Sequence, residues 1–243
     1  TTLFDQPPDF AFDALDGFVL ANQQYVERVD GGVVRATRAT DPRVGVVIGG
    51  GSGHYPAFAG LVGAGLATGA VCGNVFTSPS AGQAYRVARS VDDGRGVLFS
   101  YGNYAGDVLH FGLAQDRLRA EGIDVRTVVC TDDIASAPRN ERHKRRGIAG
   151  DFTVFKIAGA AAERGLDLDE VERLARAANE RTYTLGVAFG GCTFPGASTP
   201  LFTVPHGMMS IGLGIHGEPG ISELPIVSAE RLAELLLDRF LAE

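Results

Sequence analysis

The sequence predicts an α/β protein with a mostly parallel sheet and flanking helices, followed by a second, smaller α/β domain. Two observations predict this class. Short runs of β-branched residues, such as residues 44–48, alternate with longer segments that have apolar residues at helical spacing. After Thr182 the composition changes to glycine, threonine, proline and aromatic residues. The predicted domains are therefore residues 1–182, with glycine-rich loops, and residues 183–243.

The first elements follow from periodicity and turn residues. Residues 12–29 place apolar side chains at helical spacing, so we expect a peripheral helix there. Residues 44–48 form a β-branched run that ends directly in glycines, which is typical of a buried parallel strand. A helix is expected to begin near Pro56, because proline is tolerated in a first helical turn.

The later elements continue the alternation. Strands are predicted at residues 96–100, 125–130, 185–189 and 208–213, and helices at residues 108–121, 152–164, 168–180 and 229–241. Gly165 is expected to end one helix, and Asp167 is expected to cap the start of the next.

Composition limits the function classes. The chain has 243 residues, 45% of them hydrophobic, and a net charge of −7 with a pI near 5.3. This acidity argues against general affinity for nucleic acid or anionic lipid. Residues 1–10 lack a basic region followed by an apolar run, unlike a signal peptide, so we expect a cytoplasmic protein.

The cysteines do not suggest a metal site. Cys72, Cys130 and Cys192 are widely spaced and lie in apolar surroundings, without a CxxC pair or a histidine cluster. They are expected to be buried thiols of a reducing compartment, and no metal site is predicted.

Two long segments, residues 55–85 and 182–216, contain no Asp, Glu, Lys or Arg. They are not membrane spans, because Gly, Ser, Thr, Asn and Pro interrupt them throughout. We therefore expect both to be buried. His54 directly precedes the first segment and His216 ends the second, and these positions favour a water-poor cleft.

Three glycine-rich turns carry the candidate reactive groups. Residues 212–220 set His216 among four glycines and a proline, residues 49–54 end in His54, and residues 102–107 end in Asp107. Glycine lets a ligand approach where a Cβ would intrude. The alternatives are structural: His216 caps a helix or fills a core, His54 is a hydrogen-bonded structural histidine, and Asp107 is the N-cap of the following helix.

These turns belong to a longer set of matching segments. They are residues 49–54, 72–80, 103–107 with 111–114, 146–150 and 214–220. In their order and approximate spacing the chain resembles the substrate-binding K domain of the dihydroxyacetone (glycerone) kinases. Members of that family continue past the equivalent of Glu243, so the resemblance implies a truncated second domain.

The resemblance implies a covalent role for His216. Its distal ring nitrogen would add to the carbonyl carbon of a short ketose and hold it as a hemiaminal. A neutral imidazole has one lone-pair nitrogen and can act as a nucleophile if its other nitrogen keeps its proton in a hydrogen bond. Such a site selects ketones and aldehydes over polyols such as glycerol, which have no electrophilic carbon.

The resemblance also implies how phosphorylation would occur. His54 and Asp107 would orient the accepting hydroxyl and take its proton. The donor, ATP-Mg or a phosphorylated partner subunit, would belong to a separate helical nucleotide-binding domain or subunit, so no cofactor is expected in this chain. Similar proteins are dimers, and a homodimer is expected.

Other substrate contacts are expected from the glycine turns. Gly51, Ser52 and Gly53 would present backbone N–H groups to substrate oxygens. The same turn does not fit a nucleotide: no lysine follows it, and its sixth position, His54, breaks the G-x-G-x-x-G spacing. Ser78 is a further candidate contact, with a turn or N-cap role as its alternative.

Residues 139–146 contain five cationic side chains. A solvated loop is one interpretation, and attraction of an anionic phosphoryl donor is the other. His110 and His206 are expected to be structural.

Two positions depart from the family pattern. Tyr55 stands where members commonly have glutamate, and Gly102 where a lysine usually precedes the Asn-Tyr pair. Loss of both charged side chains could open space for a longer sugar, a tetrulose such as erythrulose instead of dihydroxyacetone. The alternative function is a non-catalytic ketose sensor; a nucleotide-dependent oxidoreductase is disfavoured by the turn spacing.

Overall fold

The computed structural model describes residues 4–37 and 39–243. Residues 1–3, which begin the segment judged unlike a signal peptide, and residue 38 lie outside the described residues. Within the described part of the chain, no helix has both the length and the apolar character needed to cross a membrane.

A six-stranded sheet organises the larger part of the chain. Its strands are β1 (Val26–Val29), β2 (Gly32–Arg35), β3 (Gly45–Ser52), β4 (Gly69–Val75), β5 (Val97–Gly102) and β6 (Val125–Cys130), in the order β1-β2-β4-β3-β5-β6. The four strands from β4 to β6 in that order are parallel, whereas β1 and β2 form an antiparallel edge. The predicted mostly parallel sheet is confirmed.

Helices cover both faces of this sheet. They are α1 (Phe10–Ala21), α2 (Ala81–Val91), α3 (Ala105–Ala120), α4 (Asp151–Glu163) and α5 (Leu168–Glu180), and α6 (Ala229–Leu241) follows later in the chain. Alternation along β3 serves both faces: Val46 and Ile48 pack in the core with α4 and α5, and Val47 packs with α2 and α3. Full burial of each such side chain contributes about 1.5–3 kcal/mol.

The predicted N-terminal helix is too long. It ends at Ala21, where the Asn22 side-chain amide donates to the Phe18 carbonyl oxygen, and residues 26–29 form β1 instead. The structural reason is pairing, since β1 and β2 form an antiparallel hairpin that buries Val26.

The predicted helix after Pro56 is also wrong. Only a short 3-10 helix, Ala59–Leu61, forms there, because glycines at positions 60, 63 and 65 disfavour a longer helix. The Phe58 ring instead packs over Gly50, where an added Cβ would lie 2.6 Å from it. Sequence patterns also missed β4 and α2, although Ser80 and Gln83 form a capping box at the start of α2.

Capping residues are partly as expected. Gly165 follows α4 with a φ of +77°, and the Asp167 side chain accepts from the Glu170 N–H at the start of α5. The N-cap alternative for Asp107 is wrong, because α3 begins at Ala105 and its N-cap residue is Tyr104.

A second, three-stranded antiparallel sheet follows, with the order β7 (Val187–Ala188), β8 (Met208–Ile211) and β9 (Ser222–Pro225). A parallel bridge between Asp133 and Thr184 connects this part to the loop after β6. The domain boundary near residue 182 stays a prediction.

Burial of the two uncharged segments differs from expectation. Residues 69–73, in β4, are buried as predicted, but residues 182–207, which include the two-residue strand β7, are half-buried or exposed. Cys72 and Cys130 are buried and Cys192 is half-buried. Burial raises the pKa of the Cys72 thiol to about 12, so it is un-ionised.

Candidate functional site

A cleft of about 550 Å³ opens at the carboxyl ends of β3 and β5, where ligands commonly bind in parallel α/β sheets. Of the predicted site residues, it is lined by Gly51, His54, Gly102, Asp107 and His216. The other three, Ser52, Gly53 and Ser78, do not line it.

Two histidine rings meet in the cleft. The Nε2 atoms of His54 and His216 lie 3.1 Å apart, and the ring of Phe76 stacks on that of His54 with centroids 4.7 Å apart. Burial, followed by the neighbouring His216, lowers the pKa of His54 to about 4. His54 is therefore a neutral imidazole near pH 7.

A carboxylate holds the other side of the His216 ring. Oxygen Oε1 of Glu218 lies 3.0 Å from His216 Nδ1, and Oε2 accepts from the His216 backbone N–H at 3.0 Å. Burial alone would raise the pKa of Glu218, but the hydrogen bonds from His216 hold it at about 2. The Arg146 guanidinium lies 3.6 Å from the same carboxylate.

The hydrogen-bond partners of the two rings determine which ring nitrogens of His216 and His54 carry a proton. His216 Nδ1 faces a carboxylate and must donate, which leaves its Nε2 lone pair directed at His54; His54 Nε2 then carries the N–H that donates to it. The sequence interpretation missed Glu218. The pattern that could have identified it is a carboxylate two residues after a candidate nucleophilic histidine, with glycine between them.

Asp107 has its own hydrogen-bonded support. The Ser78 hydroxyl donates to Asp107 Oδ1 at 2.7 Å, and His110 Nδ1 lies 2.7 Å from the Pro79 carbonyl oxygen and 3.3 Å from the same hydroxyl. Burial raises the pKa of Asp107, and the Ser78 hydrogen bond partly offsets that rise. Ser78 therefore contacts Asp107 instead of lining the cleft.

The glycine turn is packed tightly behind the cleft. A Cβ at Gly51 would lie 2.6 Å from the Thr77 backbone nitrogen, and Gly53 has a φ of +104°. The Ser52 hydroxyl donates to the Gly73 carbonyl oxygen at 2.7 Å. These residues have a packing role, and only Gly51 among the three faces the cleft.

The cationic side chains of residues 139–146 mostly make contacts within the chain. Arg145 is fully buried and Arg146 pairs with Asp133 at 2.8 Å, so the solvated-loop interpretation is wrong for both. Arg142 donates to backbone carbonyl oxygens at the end of α5, and Lys144 lies 2.5 Å from Glu141.

Two further outcomes concern histidine and metals. His206, expected to be structural, is exposed. Across residues 4–37 and 39–243, no group of three or more His, Cys, Asp or Glu side chains is placed to hold a metal ion.

Comparison with known proteins identifies relatives of the whole chain. The chain is 60% identical over 243 residues to L-erythrulose kinase of Pectobacterium atrosepticum and to D-erythrulose kinase of Mycolicibacterium smegmatis. The matches cover all of this chain, 41% of the first protein and 42% of the second. The chain thus spans about two fifths of the length of these curated relatives.

Solved structures agree with the fold. The dihydroxyacetone kinase of C. freundii superposes with a TM-score of 0.91 at 38% identity, over 100% of this chain and 45% of that one. A dihydroxyacetone kinase operon co-activator, Dha-DhaQ, superposes with a TM-score of 0.87 at 34% identity, over 98% of this chain and 72% of that one. The Dak1 domain model matches residues 16–243, and the chain belongs to that family.

Proposed function

We propose that this chain is the ketose-binding part of a kinase that phosphorylates short ketoses, and that it holds its substrate as a hemiaminal on His216. The observation that carries the proposal is the arrangement of the His216 ring. Glu218 fixes the protonated Nδ1, and the lone pair of Nε2 lies in the cleft beside His54. Orientation by a third group is typical of an activated nucleophile.

The proposed addition forms the C–N bond and breaks the π bond of the carbonyl group. The Nε2 lone pair of His216 forms a bond to the carbonyl carbon, the C=O π pair moves to oxygen, and that oxygen takes a proton from water, which leaves hydroxide. The ring carries a positive charge beside the Glu218 carboxylate until the hydroxide takes the Nδ1 proton and becomes water again. Because Nε2 has no proton to lose, water is not eliminated and the adduct stays reversible.

His54 and Asp107 have separate parts in this proposal. When the ketose takes the lone pair of His216, the His54 Nε2–H is free to donate to the new hydroxyl oxygen. Asp107, with its raised pKa, would accept the proton of the hydroxyl that is phosphorylated. Most of the acceleration would come from positioning and charge stabilisation.

The substrate class we propose is a four-carbon ketose such as erythrulose, with dihydroxyacetone as the alternative. Two relatives that are 60% identical are erythrulose kinases. Tyr55 and Gly102, which replace charged residues of the family pattern, both border the cleft.

The phosphoryl donor would come from elsewhere. We propose that ATP-Mg or a phosphorylated partner subunit sits on a separate helical nucleotide-binding domain or subunit, in keeping with the fraction of its kinase relatives that this chain spans. A homodimer and a cytoplasmic location are part of the same proposal. Light scattering of the purified chain tests the dimer.

The adduct can be tested directly. Dihydroxyacetone or erythrulose labelled with ¹³C at the carbonyl should move from the ketone to the tetrahedral carbon region of the NMR spectrum on binding, and intact mass should rise by one ketose. His216→Ala should abolish both effects. His206→Ala, which changes an exposed histidine, is the matched control and should retain them. Binding without a tetrahedral carbon would contradict the hemiaminal.

A second candidate is a ketose sensor that reports to a partner protein. It is favoured by the likeness to an operon co-activator over nearly all of this chain. The two candidates differ in turnover. A nucleotide-binding partner domain from an erythrulose kinase, added with ATP-Mg, should give a ketose phosphate if the chain is part of a kinase, and adduct without product if it is a sensor.

A further inference from the structure

The Arg146 side chain bridges two carboxyl groups, one of which is the Glu218 carboxylate that holds the His216 ring. Its Nε and Nη2 lie 3.0 and 2.8 Å from Asp133 Oδ2, and its Nη1 lies 3.6 Å from Glu218 Oε2. Only 13% of the Arg146 side chain is exposed, so its charge needs such partners. The guanidinium is therefore placed to act on Glu218, and through Glu218 on His216.

Backbone hydrogen bonds set the position of Arg146. Its N–H donates to the Ser136 hydroxyl oxygen at 2.9 Å, and its carbonyl oxygen accepts from the Asp133 N–H at 3.1 Å. Both partners lie in the loop that follows β6, so this loop closes on itself at Arg146. Nη2 also lies 3.3 Å from the Gly212 carbonyl oxygen. One side chain thus connects the loop after β6 to the turn that carries His216.

Gly214 makes the contact between guanidinium and carboxylate possible. A Cβ added at position 214 would overlap both Glu218 Oε2 and Arg146 Nη1. The Gly214 N–H donates to the Glu218 carbonyl oxygen at 2.9 Å and closes the turn over residues 214–218. The glycine two residues before His216 therefore leaves the space in which Arg146 and Glu218 meet.

The charges around the His216 ring oppose each other. A carboxylate at Nδ1 favours a protonated ring, and a protonated ring has no lone pair on Nε2 to offer to a carbonyl carbon. A cation beside that carboxylate weakens this preference, because the attraction between charges is strong where little water screens them. Arg146 supplies the cation, and Glu218 keeps its hydrogen bonds to His216.

We propose that Arg146 is a positioning residue for the addition at His216. It fixes the Glu218 carboxylate against Nδ1 and limits how strongly that carboxylate favours a protonated ring. Arg146 does not line the cleft, so it acts without touching the ketose. The inference rests on the proposed function, because it takes His216 Nε2 to be the nucleophile. Its consequence is that one cation of residues 139–146 serves the adduct and not a phosphoryl donor.

The test is a double-mutant cycle on the purified chain, with carbonyl-labelled ¹³C-erythrulose as the probe and NMR as the measure of adduct. Arg146→Ala should weaken adduct formation about threefold to tenfold, but by less than about twofold in a chain that already carries Glu218→Gln. An arginine with a merely structural role would cost the same in both backgrounds. Arg139→Ala, which changes an exposed arginine of the same run, is the control and should alter neither.

The pH dependence of the adduct is a second measurement. Without Arg146, Glu218 favours a protonated His216 ring more strongly, so the acid limb of adduct formation should move to higher pH in Arg146→Ala. It should stay in place in Arg146→Lys, which keeps the cation, and should not move upward when Glu218→Gln is present. Other ionisable groups face the ring or the guanidinium and are unchanged in these variants: Asp133, His54, Tyr104 and Asp107.

The outcomes separate the two proposals. No weakening in Arg146→Ala, equal weakening in both backgrounds, or an acid limb that does not move to higher pH would overturn the positioning role while the adduct on His216 stands. Absence of any adduct in the unmodified chain would overturn both. If Arg146→Ala fails to fold, Arg146→Lys completes the cycle, because it keeps the charge but lacks the planar fork that faces two carboxyl groups. It should then weaken the adduct only where Glu218 is present.

Discussion

Two corners of the same cleft differ in how their polar groups are satisfied. At the His216 corner, Glu218 occupies Nδ1 and the backbone N–H, and His54 meets Nε2. At the Gly102 corner, the Tyr104 hydroxyl and Asp151 Oδ1 have no partner in the part of the chain described. The His216 corner therefore has its hydrogen bonds in place without a ligand, which suits bond formation, whereas the buried polar atoms of the Gly102 corner carry the cost of having no partner.

The largest effect is expected from a substitution at the His216 corner. Glu218→Ala removes the carboxylate that keeps the His216 ring in place and its proton on Nδ1. We expect adduct formation to weaken by about 10-fold to 100-fold, by analogy with the loss of carboxylate partners of metal-binding histidines. Glu218→Gln keeps an acceptor for Nδ1–H and should lose less. Titration of the ¹³C-ketose signal measures both, and an unchanged adduct in Glu218→Ala would contradict the assigned role.

The next effect concerns pH and stability. The pKa of His54 is about 4 in the folded chain and 6.5 is its ordinary value, so the unfolded state binds more protons between those values. His54 therefore contributes stability above pH 6.5 that is lost as pH falls toward 4. Urea unfolding at several pH values should show a loss of about 1–3 kcal/mol over this window, reduced in His54→Gln. An equal dependence of the unfolding free energy on pH in the unmodified chain and in His54→Gln would contradict a neutral His54.

The stability that Glu218 contributes to the folded chain is lost at lower pH. The pKa of Glu218 is lowered from 4.5 to about 2, so its contribution falls only as pH drops through that lower window. Comparison of His54→Gln with Glu218→Gln separates the two windows.

A smaller, selective effect is expected at Asp107. Ser78→Ala removes the hydroxyl that donates to Asp107 Oδ1 and so raises the pKa of that carboxyl further. Ketose binding on His216 should change by less than about threefold, a fraction of one hydrogen bond. In the kinase reconstituted with its nucleotide-binding partner, the acid limb of the pH–rate profile should move to higher pH. A shift in ketose affinity with an unmoved profile would argue against Asp107 as the proton acceptor.

The smallest effect is expected at the Gly102 corner, in the chain without ligand. Tyr104→Phe removes a hydroxyl that has no partner, so the free energy of unfolding should stay within about 0.5 kcal/mol or rise. Thermal unfolding measures this. A clear loss of stability without ligand would mean that the hydroxyl has a structural partner.

Sequence patterns predicted most of the parallel sheet because β-branched runs such as residues 44–48 alternate with periodic helices. They failed where tertiary pairing overrides local preference. Residues 26–29 become a strand only because β2 lies beside them, and the segment after Pro56 packs as turns over the glycines of β3. Neither β2 nor the glycines of β3 can be recognised as a packing partner from the local sequence pattern.

The candidate site was predictable to the extent that glycine-rich turns marked it. His54, Asp107 and His216 were found by that pattern and all border one cleft. Glu218 was missed because its significance depends on which atoms it partners. Burial and hydrogen bonding across distant segments determine that, and spacing does not reveal it.

The most direct test of the central claim is a crystal structure of the chain grown with L-erythrulose or D-erythrulose. The account predicts continuous density from His216 Nε2 to a tetrahedral carbon. A ketose bound away from His216, or one lying in the cleft with a planar carbonyl carbon, would contradict it.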